Sequence, residues 1–103
     1  MSDPVGPVFA ALADDTRRQV VETLATGRGA TATSLAAELP MTRQAVTKHL
    51  AALRRAELVR SSRRGREIVY QLEPGALSGA ASWIAAVGGE WDERLERLGR
   101  LLA

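Results

Sequence analysis

The apolar positions of this 103-residue chain keep two different beats. From the N-terminus to about residue 56 they recur at intervals of three and four, the period of an amphipathic helix. Residues 5–13 place Val8, Phe9 and Leu12 on one side of a first short helix. A second follows in "ADDTRRQVVETLATGRG", with Asp14 or Asp15 available as the N-cap and Val20, Val21 and Leu24 as its apolar face. Gly27 and Gly29 offer the left-handed backbone that ends helices. In "TATSLAAELP", Thr31 or Thr33 can cap a third helix whose Leu35, Ala36 and Leu39 face inward, and Pro40 stops it. Thr42 then caps a fourth helix running to about Ala56. Two short helices joined by a tight connection form the pattern of a helix-turn-helix.

The period then changes. "LVRSSRRGREIVYQL", Leu58 to Leu72, is rich in β-branched and aromatic residues, and Ile68, Tyr70 and Leu72 alternate with Val69 and Gln71 as in a half-buried strand. Arg64-Gly65 stands where a hairpin turn would use a glycine. A hairpin directly after a helix-turn-helix is a wing. Pro74-Gly75 breaks the chain again, and a last helix is expected from about Leu77 to Leu102. Gly88 and Gly89 weaken that helix by about 1 kcal/mol each relative to Ala, so a bend or local fraying is expected there. The fold class is therefore mainly α with a small β-hairpin: a winged helix-turn-helix of about five helices plus a two-stranded wing. Residues 1–103 read as one such domain, without internal repeats.

On a helical projection of the fourth helix, Val46, Leu50 and Leu53 form one stripe, with His49 flanking it. Arg43, Gln44, Thr47, Lys48 and Arg54 form the opposite stripe. If the apolar stripe packs inward, the polar one faces out, concentrated in the two turns that enter the major groove in helix-turn-helix proteins. Arg43 can pair with guanine O6 and N7, and Gln44 with adenine. Thr47 can bond either base edge or give its methyl to thymine, and Lys48 can reach a base or a phosphate. Thr42 and the first amides of the helix suit a phosphate oxygen. Any solvated helix face also carries Arg, Lys and Gln, so the wing adds weight. Arg63, Arg64 and Arg66 surround Gly65, and their mutual repulsion is relieved by a phosphate backbone or a minor groove. The structural alternative is a charged edge that blocks aggregation.

Charge and composition narrow the rest. The net charge is only +2, but six arginines between 54 and 66 crowd the middle while Asp92, Glu93 and Glu96 lie in the tail. Such asymmetry suits a polyanion on one face. The chain has no cysteine and a single histidine, which is poor metal chemistry; His49 is expected to pack at the helix edge and bond a backbone group or a phosphate. No nucleophile–base constellation and no phosphate-cradling glycine loop appears, so no enzymatic activity and no cofactor are expected. "MSDPVGPVF" lacks the regions of a signal peptide, and no apolar run nears the length of a membrane span; a soluble cytoplasmic protein is the default. Trp83, Ile84, Val87, Trp91, Leu95, Leu98 and Leu102 give the last helix more apolar surface than a lone edge helix needs.

The stretches "FAALADDTRRQVVETL", "SLAAELPMTRQAVTKHLAALRRAELV" and "RRGREIVYQL" together resemble the ArsR family of bacterial winged-helix repressors. The tail "WIAAVGGEWDERLERLGRLL" is similar to a subgroup in which two tryptophans precede an acidic, Leu-rich final helix. The resemblance implies a homodimer that binds double-stranded operator DNA at an inverted repeat and represses transcription. It implies pairing through the first helix (Val8, Phe9, Leu12) and the last (Trp83, Ile84, Val87, Trp91, Leu95, Leu98, Leu102). With the residue reading above, base or backbone contacts are expected from Thr42, Arg43, Gln44, Thr47, Lys48 and His49, and wing contacts from Arg63, Arg64 and Arg66. The metal sensors of the family carry a Cys-x-Cys motif in the first helix of the helix-turn-helix, or Asp and His in the last helix. Here the first segment is "ATATSLAAEL" and the last helix has no histidine, so no metal is expected. Two other readings stand beside the repressor: a small-molecule-gated sensor with a pocket at the dimer interface lined by Trp83 and Trp91, and a winged-helix module that binds protein.

Overall fold

Short-range capping chemistry sets most of the element boundaries. The computed structural model describes residues 5–102. Helix α1 is Gly6–Leu12, with a proline in its first turn, where a missing N–H costs nothing. Helix α2, Asp15–Leu24, is capped by Asp14, whose carboxylate accepts from Arg17 N at 3.0 Å. Helix α3, Ala32–Glu38, starts with a reciprocal capping box: Ser34 N donates to the Thr31 hydroxyl, and Thr31 N donates to the Ser34 hydroxyl, each at 3.0 Å. It ends when Leu39 turns extended ahead of Pro40. Helix α4, Arg43–Arg55, begins with Ala45 N donating to the Thr42 hydroxyl at 3.1 Å.

Helix α4 ends with its C-cap at Ala56, as expected, but through an unusual backbone. Glu57 takes a left-handed φ of 60°, a conformation that favours glycine. It does so because two amides close the helix end: Glu57 N donates to Arg54 O at 3.0 Å and Leu58 N to Leu53 O at 2.9 Å. That is the paired bonding of a Schellman motif, and the apolar contact that accompanies it comes from Leu58, which is fully buried with Leu53.

Strands β1 (Val59–Arg64) and β2 (Glu67–Leu72) pair antiparallel from Val59↔Leu72 to Arg64↔Glu67. The turn is therefore Gly65-Arg66, one residue later than Arg64-Gly65. Gly65 has φ +62° at the first central position, as a type II′ hairpin requires. Neither face of β2 is simply wet. Tyr70 and Leu72 pack against the core as the alternation suggests, but Ile68 is 51 % exposed and Val69 is buried. Val69 is covered because the outer edge of β2 is also occupied. Ala30 N donates to Tyr70 O at 3.0 Å, and Tyr70 N donates to Ala30 O at 2.8 Å. The neighbouring Gly29 lies so close that a Cβ there would overlap Val69 Cγ1. Gly27 alone of the two glycines after α2 has a positive φ, +84°; Gly29 is needed for close approach.

Helix α5 corrects the expectation that Pro74-Gly75 breaks the chain. It runs without interruption from Pro74 to Leu102, 29 residues, because proline's fixed φ suits the first helical position. It stays helical through Gly88 and Gly89, so the fraying expected there is not seen. At 1.5 Å per residue it is about 44 Å long, and the molecule measures 65 × 31 × 22 Å.

The core gathers Val8, Val20, Leu24, Leu35, Val46, Leu50, Leu53 and Leu58, all essentially inaccessible. Each such side chain contributes about 1.5–3 kcal/mol by leaving water. Three of them, Val46, Leu50 and Leu53, fix the rotation of α4 about its own axis. From α5, Ala80 is buried in this core and Ala76 and Leu77 pack against it partly buried; from residue 81 to 101 every position except Val87 is exposed.

Candidate nucleic-acid interface

With Val46, Leu50 and Leu53 buried, α4 presents Arg43, Gln44, Thr47 and Lys48 outward, all exposed. Among the described residues, Arg43, Gln44 and Lys48 make no side-chain hydrogen bond or ion pair. Thr42 is exposed too, with its hydroxyl oxygen already accepting from Ala45 N. Thr47 Oγ1 donates to Arg43 O at 2.9 Å. Ala51, one turn further along the same side, is exposed and small.

His49 stands apart from this group. It is half-buried at the edge of the apolar stripe, and its Nδ1 is buried with no hydrogen-bond partner. Among the described residues it forms no bond to a backbone group, one of the two partners expected for it. Its surroundings include the start of α2. There the Asp14 carboxyl is held below its ordinary range, first by the hydrogen bond from Arg17 N and more weakly by the charge of His49.

The wing arginines are not equivalent. Arg63 Nε donates to Gly65 O at 3.4 Å, so its guanidinium folds back over the turn. Arg64 and Arg66 are exposed and without protein partners among the described residues. Arg60, part of the same basic run, is tied down by Glu73 at 3.4 Å and Gln71 at 3.5 Å.

Helix and wing share one cleft of about 570 Å³. Arg43 and Thr47 of α4 line it on one side, Arg66, Glu67, Ile68 and Tyr70 of the wing on another, and Thr33 and Ser34 of α3 at its end. Sequence reasoning named Arg43, Thr47 and Arg66 but missed the hydroxyls of Thr33, Ser34 and Tyr70. The alternation of Arg66, Ile68 and Tyr70 along β2 carried a signal for the last of these.

At the other end of the molecule, Trp83, Ile84, Trp91, Leu95 and Leu98 are each more than half exposed, as is Leu101. Val87 is half-buried, and the side chain of Leu102 lies outside the described residues. Phe9 meets Trp83 edge-on, ring centroids 5.5 Å apart at 64°. Phe9 and Leu12 are only partly buried, whereas Val8 is 1 % exposed. Val8 thus has no surface left for a partner; its own core consumes it, which corrects its place on the expected interface. Arg94 covers one face of Trp91, 5.7 Å from the ring centroid.

Among the described residues no group of three or more His, Cys, Asp or Glu is placed to hold a metal ion. None of the described helices is long and apolar enough to cross a membrane.

Comparison with known proteins bears on this geometry. A family model for a helix-turn-helix domain matches residues 12–62. The HTH-type transcriptional regulator Rv2034 of Mycobacterium tuberculosis is 47 % identical over 70 residues, which is 68 % of this chain and 64 % of that protein's length. The match therefore spans a little less than two thirds of that relative. Among solved structures, an ArsR-like transcriptional regulator from Rhodococcus sp. RHA1 superposes with a TM-score of 0.86 at 40 % identity, covering 95 % of this chain and 92 % of that one. The homodimeric winged helix-turn-helix DNA-binding domain of Mb0332 from Mycobacterium bovis superposes with a TM-score of 0.65 at 29 % identity, covering 92 % of this chain and 84 % of that fragment. A capped helix-turn-helix whose exposed cationic face shares a cleft with an arginine-bearing hairpin, and which superposes on the Rhodococcus protein over nearly its whole length, places this chain in the ArsR-like family of winged helix-turn-helix transcriptional regulators.

Proposed function

We propose that the protein is a cytoplasmic, homodimeric, non-enzymatic transcriptional repressor that binds an inverted-repeat operator in double-stranded DNA. The observation that carries this reading is the cleft in which Arg43 and Thr47 of α4 face Arg66 of the wing across open space. Cations that have no protein partner and converge on one groove are suited to a ligand rich in phosphate. Helix α4 enters the major groove; Arg43 and Gln44 reach base edges there, and Lys48 reaches a base or a phosphate. Arg64 and Arg66 meet the flanking backbone or minor groove, with Arg63 bridging back over the turn.

The dimer follows from the exposed apolar stripe on α5. Trp83, Ile84, Val87, Trp91, Leu95 and Leu98 lie on the same side of the helix as Ala80, which is buried in its own subunit. The stripe continues past the body of the subunit, where a second copy covers it together with Phe9 and Leu12. Two α4 helices related by a two-fold axis then read half-sites about 34 Å apart or a multiple of that. The homodimeric state of the Mb0332 domain supports the same arrangement.

The test is selection from a random duplex library with purified protein. The expected product is an inverted repeat whose binding weakens steeply with salt. A pool showing no sequence preference and no salt-sensitive retention sinks the reading and favours the protein-binding alternative.

A further inference from the structure

We infer that Thr47 is a specificity-determining residue that accepts a hydrogen bond from the exocyclic amino group of an adenine or a cytosine in the major groove. This rests on the DNA-binding reading of α4 given above. The partner of the Thr47 hydroxyl is the Arg43 carbonyl, at 2.9 Å. A carbonyl oxygen can only accept, so the single hydroxyl proton of Thr47 is committed inward. What the exposed side chain offers outward is an oxygen lone pair and a methyl group.

Few groups of a DNA duplex can use that lone pair. Phosphates are acceptors only, and deoxyribose has no hydroxyl within the strand. Guanine shows the major groove two acceptors, N7 and O6, and thymine shows one, O4, beside its methyl. The donors there are the adenine N6 and cytosine N4 amines. A contact to phosphate, guanine or thymine O4 would require Thr47 to rotate and forfeit one hydrogen bond to gain another. A contact to an amine adds a bond and loses none.

Position favours the contact. Thr47 lies between Arg43 and Gln44 on the helical projection, on the side of α4 turned toward the wing. Its side chain is short, so the helix backbone must approach the bases closely, and Ala51 on the next turn leaves room for this. Thr47 thereby acts opposite in sense to its neighbour: Arg43 rewards an acceptor edge and Thr47 a donor edge.

The test is a cycle between protein and base. The operator selected in the library experiment is resynthesised with each adenine or cytosine of a half-site replaced in turn by its analogue lacking the exocyclic amine. Binding is measured for the native protein, Thr47→Val, which keeps shape and a methyl but has no lone pair, and Thr47→Ser, which keeps the hydroxyl. At one position per half-site, amine removal is expected to weaken native and Thr47→Ser binding about 5- to 20-fold, and Thr47→Val binding less than about twofold. Whether that position is adenine or cytosine identifies the amine. Equal losses for native and Thr47→Val at every position overturn the inference while leaving operator binding intact. Failure to select any operator overturns the inference and the functional reading together. Circular dichroism of Thr47→Val checks that α4 is unchanged, and Thr47→Ala, which also lacks the hydroxyl oxygen, provides the same cycle should Val disturb it.

Discussion

Glu57 holds a left-handed backbone in which most side chains are strained, and nothing about its carboxylate requires it to be there. The two closing amides and the Leu58–Leu53 contact impose the conformation. Glu57→Gly should therefore raise stability by about 1 kcal/mol, visible as a higher urea midpoint at unchanged m-value; a lower midpoint would show that the Glu57 side chain stabilises the native state. Asp14 tests a different residue-level effect. Its carboxyl is held below the ordinary value near 3.8, chiefly by the bond from Arg17 N. A depressed folded pKa means stability present above the unfolded pKa and lost as pH falls through the folded one. Asp14→Asn keeps the cap but not the titration. The stability advantage of the native protein over this variant should thus shrink as pH drops below about 3.8, measured as paired urea midpoints; parallel pH curves would contradict the assignment.

At the scale of elements, the caps were legible because they are local. Asp14, Thr31 and Thr42 each act on an amide three residues on, and the projection of α4 correctly buried Val46, Leu50 and Leu53. What was not legible depends on distant partners. The alternation in β2 could not reveal that Ala30, forty residues upstream of Tyr70, covers its edge, or that Gly29 lies against Val69. Nor could the projection reveal that His49 would lack a bond at Nδ1. Pro74-Gly75 is ambiguous by itself, since the same proline that stops one helix starts another. Gly29 shows how tight the β2 contact is: Gly29→Ala should destabilise by about 1–3 kcal/mol through overpacking on Val69, read as a lower melting temperature, while an unchanged value would mean that the strand can shift. The cleft was half legible, because Arg43 and Arg66 declare themselves by charge while Thr33, Ser34 and Tyr70 do not. Arg64→Ala should weaken binding to all duplexes alike and lower the salt slope by about 1; an unchanged slope would remove the wing from the DNA contact.

At the scale of the whole molecule, a long dimension of 65 Å goes with a helix whose second half is exposed along its length. An apolar stripe that begins at Ala80 and continues through Leu98 is stable in water only when covered. Leu95→Glu should convert the proposed dimer to a monomer in sedimentation equilibrium, with the helix-turn-helix still folded by circular dichroism and operator affinity reduced at least tenfold, since one half-site is lost. A dimer that survives the substitution would place the interface elsewhere.

The stitch between Ala30 and Tyr70 divides the hairpin into two mechanical parts. On its inner side, the strands are tied by hydrogen bonds to the α2–α3 connection. Above it, the tip from Ser62 to Ile68 has no backbone hydrogen bond outside its own ladder among the described residues. In the proposed complex, a duplex that pulls on the tip arginines would meet a short lever, while Val46, Leu50 and Leu53 hold α4 in its own register.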